Sequence, residues 1–306
     1  LGMTLLKNGD LKRGFAEYEW RWKTTEFSPF KCPHPRWKGE DINNKTLLVH
    51  TEQGAGDAIQ FIRYIPLVAK HCQSIILVCP PELIPLFKNI PEIDKLMPPG
   101  ELELSEFDIY VPLMSLPYIV GTSLEKIPAN IPYLKSTNSN HINITDSQYK
   151  VGIVWSGSPT HKNDCNRSCK ITDFLPILQV PGVKFYSLQK GERRKELTKV
   201  TGNIQIEDLS SQLNNYADTA TVIEQLDLVI TVDTSVAHLA GALGKNVWTL
   251  LCFNPDWRWL QKVENTPWYP TMKLFRQSQS RQWQEVIEKV QAELWKIMTE
   301  KMIIKC

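Results

Sequence analysis

The sequence has no apolar run approaching the roughly 18 to 20 residues needed to cross a bilayer. Its first ten residues, Leu1 to Asp10, also lack the pattern of a secretory signal. The expectation is a cytoplasmic protein that is not integral to a membrane. Leu1 already lies inside an apolar helical pattern, so further chain upstream is expected. Excess charge is missing as well: 35 Lys and Arg stand against 33 Asp and Glu, a formal net charge of +2. Binding to nucleic acid through phosphate neutralisation needs a broad basic surface, so no nucleic-acid partner is expected and any phosphate affinity must be local. Paired cysteines are absent too. The seven stand scattered at 32, 72, 79, 165, 169, 252 and 306, not in the even, closely spaced framework of a secreted disulfide domain. Cys165 and Cys169 have CxxxC spacing, but no second Cys or His pair follows to complete a zinc site. No cluster of carboxylates suggests another metal, so no metal and no cofactor are expected.

What is present is an ordinary globular composition, 42% hydrophobic and 22% charged, long enough for two domains. Leu5, Leu6, Leu11, Phe15, Tyr18 and Trp22 recur near spacings of three and four, interrupted by Gly9-Asp10. This predicts two short helices joined by a tight turn. Such a hairpin cannot bury its own apolar face, so residues 1–27 are read as the remnant of a helical repeat. From residue 46 strands and helices alternate, which implies a parallel sheet with crossover helices. A polar linker, Ser136 to Ser147, interrupts the pattern before it starts again at Lys150. The fold class is therefore α/β, with Rossmann-like domains at 28–138 and 149–280 facing a cleft. A final amphipathic helix, within 281–300, is expected to pack back on the first domain.

Open parallel sheets place their ligand crevices at the carboxyl ends of the strands, so the loops after strands matter most. The first is Thr51-Glu52-Gln53-Gly54-Ala55-Gly56-Asp57. Gly54 and Gly56 let the backbone turn sharply and approach a ligand. Asp57, at the start of the next helix, suits either of two roles equally: a helix cap, or a base that takes a proton from an attacking hydroxyl. The dinucleotide fingerprint is incomplete because Ile59 stands where a third glycine belongs. In the second domain, Ser156-Gly157-Ser158 runs on to Lys162 and Arg167. Serine donors with a Lys or Arg charge suit a diphosphate, although a solvated loop has the same composition. The segment Leu228 to Gly244 is the most informative: an apolar strand ends at Asp233, a helix starts on Thr234 and Ser235, and Gly244 stops it. The exposed amides at such a start bind phosphate, and Thr234 and His238 share one helix face. Each of these side chains alone fits capping or core packing as well. Asp256-Trp257-Arg258-Trp259, after the last predicted strand, reads as packing between domains.

The run Asp233-Thr234-Ser235-Val236-Ala237-His238-Leu239-Ala240-Gly241-Ala242-Leu243-Gly244, with Gly56-Asp57, resembles the lipopolysaccharide heptosyltransferase group, family 9 of the glycosyltransferases. The chain is more closely similar to bacterial tetratricopeptide-repeat proteins that carry such a domain at the C-terminus. Gly9-Asp10 through Trp22 looks like their last repeat, and His161 to Asp164 and Leu188-Gln189-Lys190-Gly191 look like their nucleotide-side loops. The resemblance implies a GT-B fold and an inverting, metal-independent transfer from a nucleoside-diphosphate sugar. It implies that Asp57 is the base and that Lys162 contacts the diphosphate. Gln189 and Glu192 would then lie on the nucleotide side, with Glu192 on the ribose, and Asp233, Thr234 and His238 at the donor-phosphate helix. Where that group often carries Arg, this chain has Cys165. The acceptor would be a glycan, a lipid-linked group or a protein, and the repeat helices would offer a surface to a protein partner. Two other function classes fit the same residues: a scaffold or nucleotide-binding module without catalysis, and a nucleotide-sugar epimerase.

Overall fold

The computed structural model describes residues 1–25, 27–136, 142–202 and 204–305, with side chains through Ile303. Part of the expected linker, residues 137–141, lies outside the described residues. The chain opens with helices α1 (Gly2–Lys7) and α2 (Leu11–Tyr18). Gly9 takes a positive φ of 85° between them, a conformation that favours glycine, and Asp10 caps α2 through Arg13 N at 3.3 Å. A helical hairpin thus stands where a repeat remnant is expected.

The first sheet contains β1 (Ile42–His50), β2 (Cys72–Val78), β3 (Lys95–Met97) and β4 (Ile109–Pro112), in the order β3-β2-β1-β4 and parallel throughout. The run Leu47-Leu48-Val49 is wholly buried, as a strand covered on both faces must be. The second sheet contains β5 (Tyr149–Val154), β6 (Val183–Ser187), β7 (Ile206–Asp208), β8 (Leu228–Val232), β9 (Val247–Leu251), β10 (Asn265–Thr266) and β11 (Tyr269–Arg276). Its order is β10-β11-β9-β8-β5-β6-β7, parallel except for β10. In each sheet the strand order reverses at the first strand: β1 lies between β2 and β4, and β5 between β6 and β8. Such a reversal opens a crevice at the carboxyl end. The Gly54–Gly56 loop, the loop after β5 and the loop after β8 all leave from these two points.

Two features depart from the sequence reading. β3, β10 and β11 are strands where none was predicted. The closing helix, Gln284–Lys305, does not return to the first domain: Val286, Ile287, Val290, Leu294 and Met298 complete the core of the second sheet with Ile171, Phe174, Ile177 and Phe185. The reason is proximity. The helix leaves directly from β11, and the apolar face it needs lies alongside, where Gln291 also donates to the Pro176 carbonyl at 2.8 Å.

The two sheets share one continuous apolar core, which runs from Leu6, Leu11 and Phe15 through helix α3 (Ala55–Phe61) to Leu239, Trp257 and Trp268. Phe15 sits at the joint, edge-on to Phe61 of the first half at 6.3 Å and to Trp257 of the second at 5.6 Å. The hairpin also bonds the second half directly, through Lys7 to Asn254 and Gln261 to Asn8. With this cluster shared between them, both halves are expected to unfold together, so tryptophan fluorescence and far-ultraviolet circular dichroism should trace a single urea transition. Phe15→Ala is expected to lower the unfolding free energy by about 3–5 kcal/mol; two separated transitions in the parent chain would contradict the shared core.

Candidate functional site between the two sheets

The loop after β1 is held from behind by the hairpin. Arg21, itself buried, donates to Glu52 Oε1 at 2.9 Å, and Gln53 Nε2 donates to the Tyr18 hydroxyl at 3.0 Å. With its stem tied down, the loop brings the first turn of α3 against the second half. A Cβ at Gly56 would lie 2.9 Å from His238 Cδ2 and 3.3 Å from Ser235 Cα. Glycine is therefore required here by the close approach of the two halves. The first turn of α3 and the first turn of the 235–242 helix meet at this point, and the first N–H groups of each helix have no partner within their own helix.

Asp57 fulfils one of its two expected roles in plain view. Its Oδ2 accepts from Gly54 N at 2.9 Å, which caps α3. Its Oδ1 accepts from Arg258 Nη2, a contact across the two halves that the sequence reading did not anticipate. Arg258 also donates from Nε to Gln60 Oε1 at 2.8 Å and from Nη1 to Asp256 Oδ1 at 2.7 Å, and stacks on Trp257 at 4.4 Å. Trp257 and Trp259 pack in the core as predicted, whereas the arginine between them reaches the other half. Its signal was positional: Asp256 to Trp259 follows β9 at the carboxyl end of the sheet.

The expected binding residues of the second half divide into two groups. Ser156 and Gln189 are buried and turned inward. The Gln189 carboxamide accepts from Trp155 N at 3.2 Å and Ser156 N at 2.9 Å and donates to the Ser156 and Lys190 carbonyls, both at 3.0 Å. Ser156 Oγ bonds Ser168 Oγ at 3.3 Å. These residues shape the loop after β5. Lys162 is exposed on that loop, and Glu192 lies 84% exposed beside Lys195 at 2.5 Å.

Arg167, Asp233, Thr234, Ser235 and His238 form the second group and gather at the junction. The Arg167 guanidinium lies against Gly157, where a Cβ would come within 2.6 Å of Nη2. Its buried Nε has no hydrogen-bond partner among the described residues, and its nearest carboxylate, Asp164, is 3.8 Å away. Thr234 begins the helix without a side-chain cap, and Ser235 Oγ accepts from the Tyr216 hydroxyl at 2.8 Å. The Asp233 carboxyl is pushed up to about 6, chiefly by burial and then by the negative charge of Asp256. The Trp259 indole, Arg167 and Arg258 oppose that shift. His238 stacks on Trp259 at 5.1 Å, and its Nδ1 bonds the Tyr269 hydroxyl at 3.0 Å. Burial, followed by the charges of Arg258, Arg63 and Arg167, holds its pKa well below the usual value, so the ring is neutral. The junction therefore gathers the fixed cations Arg63, Arg167 and Arg258 beside the carboxylates Asp57, Asp233 and Asp256. Among the described residues no group of three or more His, Cys, Asp or Glu is placed to hold a metal ion, Cys165 and Cys169 included.

No protein-family model matches the chain. Protein FlbA of Caulobacter vibrioides is 25% identical over 322 aligned positions, which cover 94% of this chain and 52% of FlbA. The chain thus spans about half the length of that curated relative. Among solved structures, the Escherichia coli ADP-heptose lipopolysaccharide heptosyltransferase II superposes with a TM-score of 0.57 at 13% identity, over 84% of this chain and 99% of the enzyme. A glycosyl transferase family 9 structure from Veillonella parvula gives 0.56 at 13% identity, over 79% and 88%. The iron-containing dodecameric glycosyltransferase TibC of enterotoxigenic E. coli gives 0.55 at 14%, over 83% and 78%. These likenesses establish a common fold, an α/β architecture with two parallel sheets.

The neutral His238 carries a pH dependence whose sign follows from its depressed pKa. The unfolded chain takes up a proton near the ordinary value of about 6.5 and the folded chain does not, so this contribution is present above that pH and lost below it. The difference in unfolding free energy between the parent chain and His238→Gln is expected to narrow between pH 7 and pH 5, the parent chain alone losing this contribution as the pH falls. Urea titrations at the two pH values measure it, and a constant difference would contradict a neutral buried ring.

Proposed function

We propose that this chain is a glycosyltransferase of the GT-B, heptosyltransferase-like kind, inverting and metal-independent, that takes a sugar from a nucleoside-diphosphate donor. The observation that carries this reading is the meeting of Gly56-Asp57 with the start of the 235–242 helix, flanked by the under-satisfied Arg167. A carboxylate from one half faces an anion-binding helix end from the other. The likeness in fold to heptosyltransferase II, named for ADP-heptose, supports it further.

In this reading residues 149–280 hold the donor and residues 28–138 face the acceptor. The diphosphate lies against the amides of Thr234 and Ser235 and the guanidinium of Arg167. These preorganised donors take up the charge that grows on the leaving group. Asp57 accepts the proton of the acceptor hydroxyl as that oxygen attacks the anomeric carbon from the face opposite the diphosphate. Lys162, exposed on the loop after β5, and Glu192, at the turn after β6, extend the donor site toward solvent, the latter to the ribose. Gly56, Ser156 and Gln189 act by shaping loops. The protein works in the cytoplasm, and α1 and α2 close a tetratricopeptide array through which a protein partner or the acceptor is recruited. One observation favours a second reading, a nucleotide-binding scaffold without turnover: Asp57 is engaged by Arg258.

The test is a calorimetric titration with ADP, GDP, UDP and CMP in the presence of EDTA. One nucleoside diphosphate is expected to bind the parent chain, and Arg167→Ala is expected to weaken it about tenfold or more, the loss of a charge-assisted bond of about 1.5–3 kcal/mol. Absence of binding by every nucleotide would remove the donor site. Binding without release of nucleotide from any nucleotide sugar would favour the scaffold.

A further inference from the structure

Arg258 binds a carboxylate from each half at the junction, Asp57 of the first and Asp256 of the second. Its side chain is only 8% exposed, yet its partner Asp57 is 23% exposed, so the pair is reached from the Asp57 side. A guanidinium has five N–H donors; the bonds to Gln60, Asp256 and Asp57 engage three, leaving two for a ligand. The Gln60 carboxamide nitrogen, attached to the group that anchors Nε, is buried without a hydrogen-bond partner among the described residues. Trp257 supports the guanidinium plane from one side, 4.4 Å from the ring centroid, a surface along which it can turn from one partner to another.

Charge balance points the same way. Arg167 and Arg258 both act on Asp233 and on His238, which puts the two cations within electrostatic reach of one spot beside the 235–242 helix. Arg258 pairs with Asp57 and Asp256, and both arginines act on Asp233. A diphosphate entering there is attracted only if a cation turns to it, and guanidinium bonds phosphate as well as carboxylate, often through two parallel N–H groups.

We propose that Arg258 is a switched ligand: without donor it pairs with Asp57, and an arriving diphosphate draws its guanidinium away and leaves Asp57 Oδ1 free for the acceptor hydroxyl. This rests on the glycosyltransferase reading above and adds to it an order, donor before acceptor. Asp57 then competes with the diphosphate for one arginine. Removing the competitor strengthens donor binding, an effect that damage to the fold does not produce.

The experiment is calorimetric titration of ADP, GDP and UDP into the parent chain and four variants, Asp57→Asn, Arg258→Gln, Arg258→Lys and the Asp57→Asn/Arg258→Gln double variant, each checked for folding by circular dichroism. Asp57→Asn is expected to bind the diphosphate about 5-fold more tightly and Arg258→Gln at least 10-fold more weakly, with Arg258→Lys between Arg258→Gln and the parent. The gain from Asp57→Asn is expected to vanish when Arg258 is Gln. If the parent binds and Asp57→Asn binds no tighter, or its gain survives in the double variant, the switch is overturned while the donor site stands. If the parent binds none of the three, the donor site and the switch fall together.

Discussion

The architecture depends on one close approach, the packing of Gly56 against Ser235 and His238. Two parallel sheets joined by a linker have no intrinsic reason to hold a fixed relation. Here Gly56 brings no side chain of its own and lies directly against the His238 ring and the Ser235 backbone, and the Asp57–Arg258 pair, the Arg258–Gln60 bond and the stacked His238 and Trp259 rings lie around that contact. A buried ion pair is weak evidence for stability, because the cost of removing both charges from water offsets their attraction. Its larger effect is geometric: a shift of the two halves would break the bonds from Arg258 to Asp57 and Gln60 together, so they favour one register.

The N-terminal hairpin acts as a third body on this joint. Phe15 enters the seam between Phe61 and Trp257, and Arg21 and Tyr18 reach behind the loop that carries Asp57. A helical segment that would be unstable alone is thereby folded by contact with both halves, and in return fixes the stem of the loop. Any force applied through α1 and α2 acts directly on that loop.

Much of this was legible in the sequence. The apolar run ending at Asp233, followed by a helix start and Gly244, specified a strand, a loop and a helix by length and capping alone, and the strand lies at the centre of its sheet. Gly56 and Asp57 were legible for the same reason. The helical hairpin was readable from spacing, but its identity as a repeat unit was not, because one pair of helices has no period. β11 was hidden by Pro270, which the strand accommodates because its neighbour β10 is only two residues long. The closing helix misled because amphipathicity specifies that a face is buried and not against what. Ser156 and Gln189 were read as ligand groups since polar residues after a strand suit either purpose; only the inward hydrogen bonds distinguish the two. Arg258 was lost among tryptophans, whose number suggested packing.

Arg63 sits in the same joint, and its surroundings are unusual. It donates to the carbonyls of Gln60, Pro128 and Trp268 and to the Tyr133 hydroxyl, beneath the rings of Tyr133 and Tyr269. None of these partners is a carboxylate, so this charge is solvated by dipoles and aromatic faces and is not neutralised by a counter-ion. Arginine keeps its proton throughout the ordinary pH range. The interior of the joint therefore carries a standing positive potential that acidification cannot strengthen through Arg63 and mild alkali cannot remove, and His238 lies within it.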